Sequence, residues 1–201
     1  MAPPSATRPA RERLLDAAGA LFYESGIAAT GVDAVLARAR VAPATLYAHF
    51  AGKDGLVAAY LEQRFRRWQQ VWDEVLAERS DPVERLLSVF DAVARFRDAE
   101  ADSRGCAFLA AAPELPPDHP GRQWLDADSR LLTDRLRELA AAAGADDPVG
   151  TADGLLASYD GALARLARQG VTPGLDTGDP VRRARELAAG WLAGRLTEGT
   201  R

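Results

Sequence analysis

Apolar residues recur at three- and four-residue intervals along nearly the whole chain, and nowhere does an alternating pattern persist long enough to make a strand. The expected fold class is therefore all-α, with about nine helices. Three helix starts share one device. Asp81-Pro82, Asp147-Pro148 and Asp179-Pro180 each set a side-chain acceptor at the cap and a proline at the first helical position, where its missing N–H costs nothing. A long amphipathic helix is predicted from about Lys53 to Glu78, with Leu56, Val57, Tyr60, Leu61, Phe65, Trp68, Trp72, Val75 and Leu76 on one face and a position bridging two domains. A short helix around Gly105 to Ala112, a proline-rich loop at Pro113 to Pro120 and a helix from about Arg122 to Ala143 complete the pattern. Met1 to Ala6 and Glu198 to Arg201 read as frayed ends.

The first fifty residues are built from shorter pieces. A helix beginning after Thr7 carries Leu14, Leu15, Ala18, Leu21 and Phe22 on one face and stops at Gly26, which suits the left-handed position past a helix end. A second helix is capped by Thr30, has Asp33 in its first turn, and buries Val32, Val35, Leu36 and Ala39. A third places Pro43 in its first turn and turns Leu46 and Phe50 inward. Two short helices joined by three or four residues must cross steeply, and the helix behind them holds that angle. Such a geometry leaves the third helix free to enter a DNA major groove. Thr45, Tyr47 and His49 offer donors for phosphate oxygens, and Lys53 stands where the next helix begins, whose amides also favour an anion.

Charge agrees with that location. The chain of 201 residues carries a net charge of −4, but residues 1–55 hold six basic and five acidic side chains while the remainder holds nineteen and twenty-four. Any nucleic-acid contact belongs near the N-terminus. The hydrophobic fraction of 47% with 27% charged residues fits a folded globular protein. Cys106 is the single cysteine, Met1 to Arg13 lacks the apolar stretch of a signal peptide, and charged residues interrupt every apolar helix, so the expected setting is cytoplasmic with no membrane partner.

The ordered set Thr30-Gly31-Val32, then Val41-Ala42-Pro43-Ala44-Thr45-Leu46-Tyr47-Ala48-His49-Phe50, then Gly52-Lys53-Asp54-Gly55-Leu56, resembles the TetR family of bacterial regulators over about residues 10 to 60. Its core, Thr-Leu-Tyr-x-His-Phe followed three residues later by Lys, is quite specific. The resemblance implies a dimeric one-component regulator, commonly a repressor, whose C-terminal helices bind a small molecule. Carried over position by position, it makes Thr45, Tyr47, His49 and Lys53 contacts to the DNA backbone and sets Arg40, Ala42, Pro43, Ala44 and Ala48 nearest the bases. This chain departs from the pattern in two ways. Arg40 stands where the family usually has glycine, which strains the turn or adds a phosphate contact, and the base-facing positions offer mainly methyl contacts to thymine. Shape readout, with Arg8 or Arg11 in the minor groove, would then supplement base readout.

On this reading residues 1–52 form the helix-turn-helix domain and residues 53–201 a helical ligand-binding and dimerisation domain. Candidate ligand contacts are Trp68, Trp72, Phe90, Phe108, Trp124 and Tyr159, each of which also suits an ordinary core, with Asp160 as a polar anchor or a solvent-facing side chain. The segment Arg104-Gly105-Cys106-Ala107-Phe108-Leu109 resembles one found in a branch of the family. Cys106 reads as a buried inert thiol and His119, without a partner at metal spacing, as a loop residue; no metal or other cofactor is expected. Leu155, Leu156, Tyr159, Leu163 and Leu166, then Val181, Ala184, Leu187, Ala188, Trp191, Leu192 and Leu196, give the last two helices more apolar surface than they need, and by resemblance they pair with their copies in a homodimer. The two reading helices would then lie about one DNA turn, ~34 Å, apart. No nucleophile elbow, zinc-protease helix or phosphate-cradling loop occurs, so an enzyme is not expected. The function expected is a ligand-responsive regulator of transcription, released from a palindromic operator by a small apolar or aromatic molecule. The alternative is a helical small-molecule carrier or interaction protein without specific DNA binding.

Overall fold

The computed structural model describes residues 8–100, 106–169 and 178–198. These hold nine α-helices and no strand: α1 (Ala10–Ser25), α2 (Val32–Ala39), α3 (Pro43–His49), α4 (Gly52–Ala77), α5 (Pro82–Glu100), α6 (Ala107–Ala111), α7 (Arg122–Ala142), α8 (Pro148–Gln169) and α9 (Pro180–Glu198). Glu198, expected to be frayed, is still helical, whereas Met1 to Ala6, Gly199 to Arg201, Arg104 and Gly105 lie outside the described residues. The chain forms two compact units, one of residues 1–65 with 107–127 and one of residues 66–106 with 128–201. Both α4 and α7 therefore contribute residues to each unit.

In the first unit α1 packs on α2 and α3, and its Leu14, Leu15, Ala18 and Phe22 are buried. Phe22 meets Tyr60 of α4 edge to face at 5.5 Å. Gly26 ends α1 as expected, with φ 88° and its N–H bonded to the Phe22 carbonyl at 2.9 Å. Thr30 does not cap α2; the N-cap is Gly31, without a side-chain cap bond. The buried Thr30 hydroxyl instead donates to the Gly26 carbonyl at 2.7 Å and approaches that of Leu21 at 3.3 Å. A buried hydroxyl with a carbonyl in reach has more to gain than one facing amides that water can solvate. The loop after α6 also reaches this corner, where Glu114 accepts the Ala28 N–H at 2.5 Å.

α2 and α3 are joined by Arg40, Val41 and Ala42. Arg40 is the only described non-glycine residue with positive φ (55°), and with ψ 52° it is left-handed, the conformation that glycine adopts freely. The turn is held from α1. Arg13 donates one guanidinium nitrogen to the carbonyls of Ala39 at 2.9 Å and Arg40 at 3.1 Å, satisfying groups that the end of α2 leaves open.

The second unit starts its helices as the sequence indicates. The Asp81 carboxylate accepts the Glu84 N–H at 2.9 Å, Asp147 that of Gly150 at 2.9 Å and Asp179 that of Val181 at 3.0 Å. Trp72 lies fully buried, its indole N–H donating to Ser88 at 2.9 Å. α9 packs on both α5 and α8, and Arg185 ties α9 to α5 through Asp91 at 3.0 Å and through Glu84. This packing uses most of the apolar surface that the sequence shows in excess on the last two helices: Leu155, Tyr159, Leu163, Leu166, Val181, Ala184, Ala188 and Leu192 are all buried in the unit's own core. Leu187 and Trp191 remain exposed.

Because a left-handed non-glycine residue costs on the order of 1 to 3 kcal/mol, part of which glycine loses again as unfolded-state entropy, Arg40→Gly is expected to stabilise the fold by about 1 kcal/mol. The thermal midpoint should rise by about 2–4 °C in a scan, and a fall would show that the arginine side chain outweighs the strain.

Candidate nucleic-acid interface and aromatic core

α3 has seven residues, and Leu46 alone among them is buried, at 0% exposure. Its proline at the first position and the extended Ala42 before it start the helix without any side-chain cap. Packing therefore fixes one face and leaves the rest outward. Arg40, Ala42, Pro43, Ala44, Ala48 and His49 are exposed, Tyr47 is 65% exposed, and Thr45 and Lys53 are half-buried. All nine residues expected at DNA thus lie within one stretch, from the α2–α3 turn to the first turn of α4. Lys53 already donates to the Ala28 carbonyl at 3.3 Å, an exposed bond that leaves two ammonium protons for phosphate. Phe50 is buried just beyond α3, with the Arg11 guanidinium 5.4 Å above its ring. Arg8 is engaged with Glu12 at 3.2 Å and Asp16 at 2.5 Å. Exposed pairs of this kind contribute little, so they oppose a move of Arg8 to phosphate only weakly.

The candidate ligand residues separate. Phe108 and Trp124 belong to the first unit, where Trp124 stacks against Phe65 at 5.7 Å. Trp68, Trp72, Phe90 and Tyr159 share the core of the second. There Trp68 is the hub, with ring centroids 5.6 Å from Trp72, 6.0 Å from Phe96 and 6.4 Å from Tyr159. Trp72 is covered on one side by the Arg135 guanidinium at 4.6 Å. The Trp68 indole N–H, by contrast, is buried without an acceptor among the described residues. Asp160, next to Tyr159 on α8, is exposed.

The comparisons with known proteins agree with this arrangement. The family model described as bacterial regulatory proteins of the tetR family matches residues 14–60. The crystal structure of a TetR-family transcriptional regulator from Streptomyces coelicolor is 30% identical, with 94% of this chain and 95% of that one covered at a TM-score of 0.77. A putative TetR transcriptional regulator from Streptomyces avermitilis is 32% identical, with 90% and 98% covered at a TM-score of 0.70. The chain belongs to the TetR family. It is accordingly a ligand-responsive, DNA-binding regulator of transcription. Among curated TetR-like relatives, the HTH-type transcriptional repressor KstR of Mycolicibacterium smegmatis is 30% identical over 134 residues, 64% of this chain and 66% of that protein. The HTH-type transcriptional repressor DhaR of a Mycobacterium species is 26% identical over 177 residues, 80% and 84% of the two chains. Among the described residues no helix is long and apolar enough to cross a membrane.

Two features of this TetR-family chain escape a reading of residue types. His119 lies in a loop, as expected, but is buried there; its Nδ1 accepts the Gly121 N–H at 2.9 Å and its Nε2 lies 3.5 Å from Asp54. The second is Asp128 on α7, buried to 7% exposure. It stands one turn before Leu132 on the face that continues through Leu136 and Leu139, so the helical pattern could have marked it as an acid on an apolar stripe. Burial first, and then the Asp160 carboxylate, push its carboxyl up to about 7. Burial likewise raises Asp160, and it raises the Tyr159 hydroxyl well above its ordinary value.

A raised carboxyl means that the folded protein holds a proton which the unfolded chain releases near pH 4. The stability tied to Asp128 is therefore intact below about pH 4, is lost as pH rises to about 7, and is level above that. At 1.36 kcal/mol per unit the loss is on the order of 4 kcal/mol. Asp128→Asn, which mimics the protonated form, should match the wild type in urea denaturation near pH 4 and exceed it at pH 8.

Proposed function

We propose that this regulator is a repressor that sits on a palindromic operator as a homodimer and leaves it when a small apolar or aromatic molecule binds the C-terminal helices. In this reading residues 1–52 read DNA and residues 53–201 bind effector and dimerise. The observation that carries it is the division of α3 into one buried residue and an outward face made of the Thr45, Tyr47 and His49 donors and the small side chains of Ala44 and Ala48. Thr45, Tyr47, His49 and Lys53 hold phosphates and set the register, while Arg40, Ala42, Pro43, Ala44 and Ala48 face the bases. The names of the relatives KstR and DhaR, both repressors, favour repression over activation. Trp68, Phe96 and Tyr159 supply the aromatic lining of the effector site in the second unit. α4 carries both Lys53 and Trp68, so an effector that displaces this helix changes the DNA contact. A hundredfold change in operator affinity requires about 2.7 kcal/mol of differential binding, within reach of one buried aromatic ligand.

Dimerisation is supported by what α8 and α9 leave uncovered. Leu187 is 68% exposed and Trp191 37%, and a Cβ added at Gly161, Gly190 or Gly194 would meet nothing within 4 Å. Small residues beside exposed apolar ones let helices of a second copy approach closely.

Selection from a pool of random duplexes at fixed moderate salt should enrich a pseudo-palindrome. Tyr47→Ala and Lys53→Ala should each weaken binding to it by at least tenfold, and the Lys53 variant should also lower the salt slope by about one. No enrichment would favour the carrier reading. At micromolar concentration the protein should run at twice its 21.5 kDa chain mass, and Leu187→Asp should shift it towards the monomer.

A further inference from the structure

Asp128 is the residue that packing and recognition have left unexplained. It is 7% exposed, and no hydrogen bond or ion pair reaches it from the described residues. Its electrostatic neighbours are the Asp160 carboxylate and the Tyr159 hydroxyl, and the Cys106 thiol acts in turn on Tyr159. None of these is a base that could neutralise it. A buried carboxylate normally has a cation or several donors beside it, because an unpaired one costs several kcal/mol. The same region holds Trp68, 5% exposed, whose ring lies 6.4 Å from that of Tyr159; its indole N–H, without an acceptor among the described residues, is a donor and plays no part in holding a positive charge, which the ring face would do. Phe96 stands edge-on to Trp68 at 6.0 Å. Two carboxylates and three aromatic rings within one compact unit attract positive charge in two ways, by ionic pairing and through ring faces. The nearby rings are those of Trp68, Phe96 and Tyr159, and ring faces favour an organic cation.

We propose that the effector is an aromatic or alkylated ammonium cation whose charge is held by Asp128, with Asp160 assisting, against Trp68, Phe96 and Tyr159. This inference rests on the effector-site reading above and narrows its ligand class. It accounts for keeping a destabilising acid in an apolar core: the ligand supplies the missing partner, and binding stabilises the bound form most when the charge is present. Because Asp128 must be ionised to pair, the cation competes with a proton.

The test uses the full chain and two probes of equal shape, trimethyl(phenethyl)ammonium and its uncharged carbon isostere (3,3-dimethylbutyl)benzene, with binding followed by tryptophan fluorescence and calorimetry. The wild type should bind the cation at least tenfold more tightly than the isostere at pH 8. Its affinity for the cation should fall about tenfold between pH 8 and pH 6, as protonation of a group titrating near 7 requires. Asp128→Asn should lose both the preference and the pH dependence while keeping its affinity for the isostere, which shows that the site is still formed; Asp160→Asn should lose less. Equal affinity of the wild type for the two probes, or a preference that survives Asp128→Asn, would overturn the cation assignment and leave an apolar effector site standing. Binding of neither probe by the wild type would overturn the aromatic site itself.

Discussion

A helix of seven residues has almost no stability of its own in water, so everything α3 does depends on the burial of Leu46 and of Phe50 just after it. Each buried side chain of this size is worth roughly 1.5–3 kcal/mol, enough to fix a short helix only because α1 and α2 are already in place to receive it. The angle of the reading face is inherited from that contact. The Arg13 guanidinium bonds to Ala39 and Arg40 reinforce it from the other side of the turn, and the left-handed Arg40 is tolerated because the packing on both sides determines its conformation.

The second unit is organised differently. Its helices begin at strong local signals and fill a core in which polar groups are mostly matched: Trp72 with Ser88, and Arg79 and Arg185 with Asp91. Against that background Asp128, a buried acid with no basic partner among the described residues, stands out as a local departure from good packing chemistry. Such departures collect at sites where a ligand completes the structure, since stability given up in the free protein is returned in the complex. A regulator benefits from this, because its two functional states need to lie within a few kcal/mol of each other.

Much of the architecture is legible from the residues alone. The three Asp-Pro starts, the apolar stripe of α4 and the positions of α2 and α3 all follow from local rules, and the Thr-Leu-Tyr-x-His-Phe set marks the reading helix by pattern alone. The misreadings have one cause. Thr30 is a good cap by type, yet its hydroxyl bonds back to the Gly26 carbonyl. The apolar residues of α8 and α9 suggest a wide sticky face, yet α5 and the helices' own contact cover most of them. In both cases burial decides, and residue type alone does not show which groups packing encloses.

The sequence by itself determined the helical class, the helix boundaries to within a few residues, and the short helix-turn-helix stretch from Arg40 to Lys53, because caps, prolines and apolar periodicity act over a few residues and need no distant partner. Only the tertiary structure decided which aromatics share one core, and that Asp128 is a buried acid without a base among the described residues. Burial and the pairing of charges depend on side chains brought together from α4, α5, α7 and α8, and no local pattern encodes that meeting.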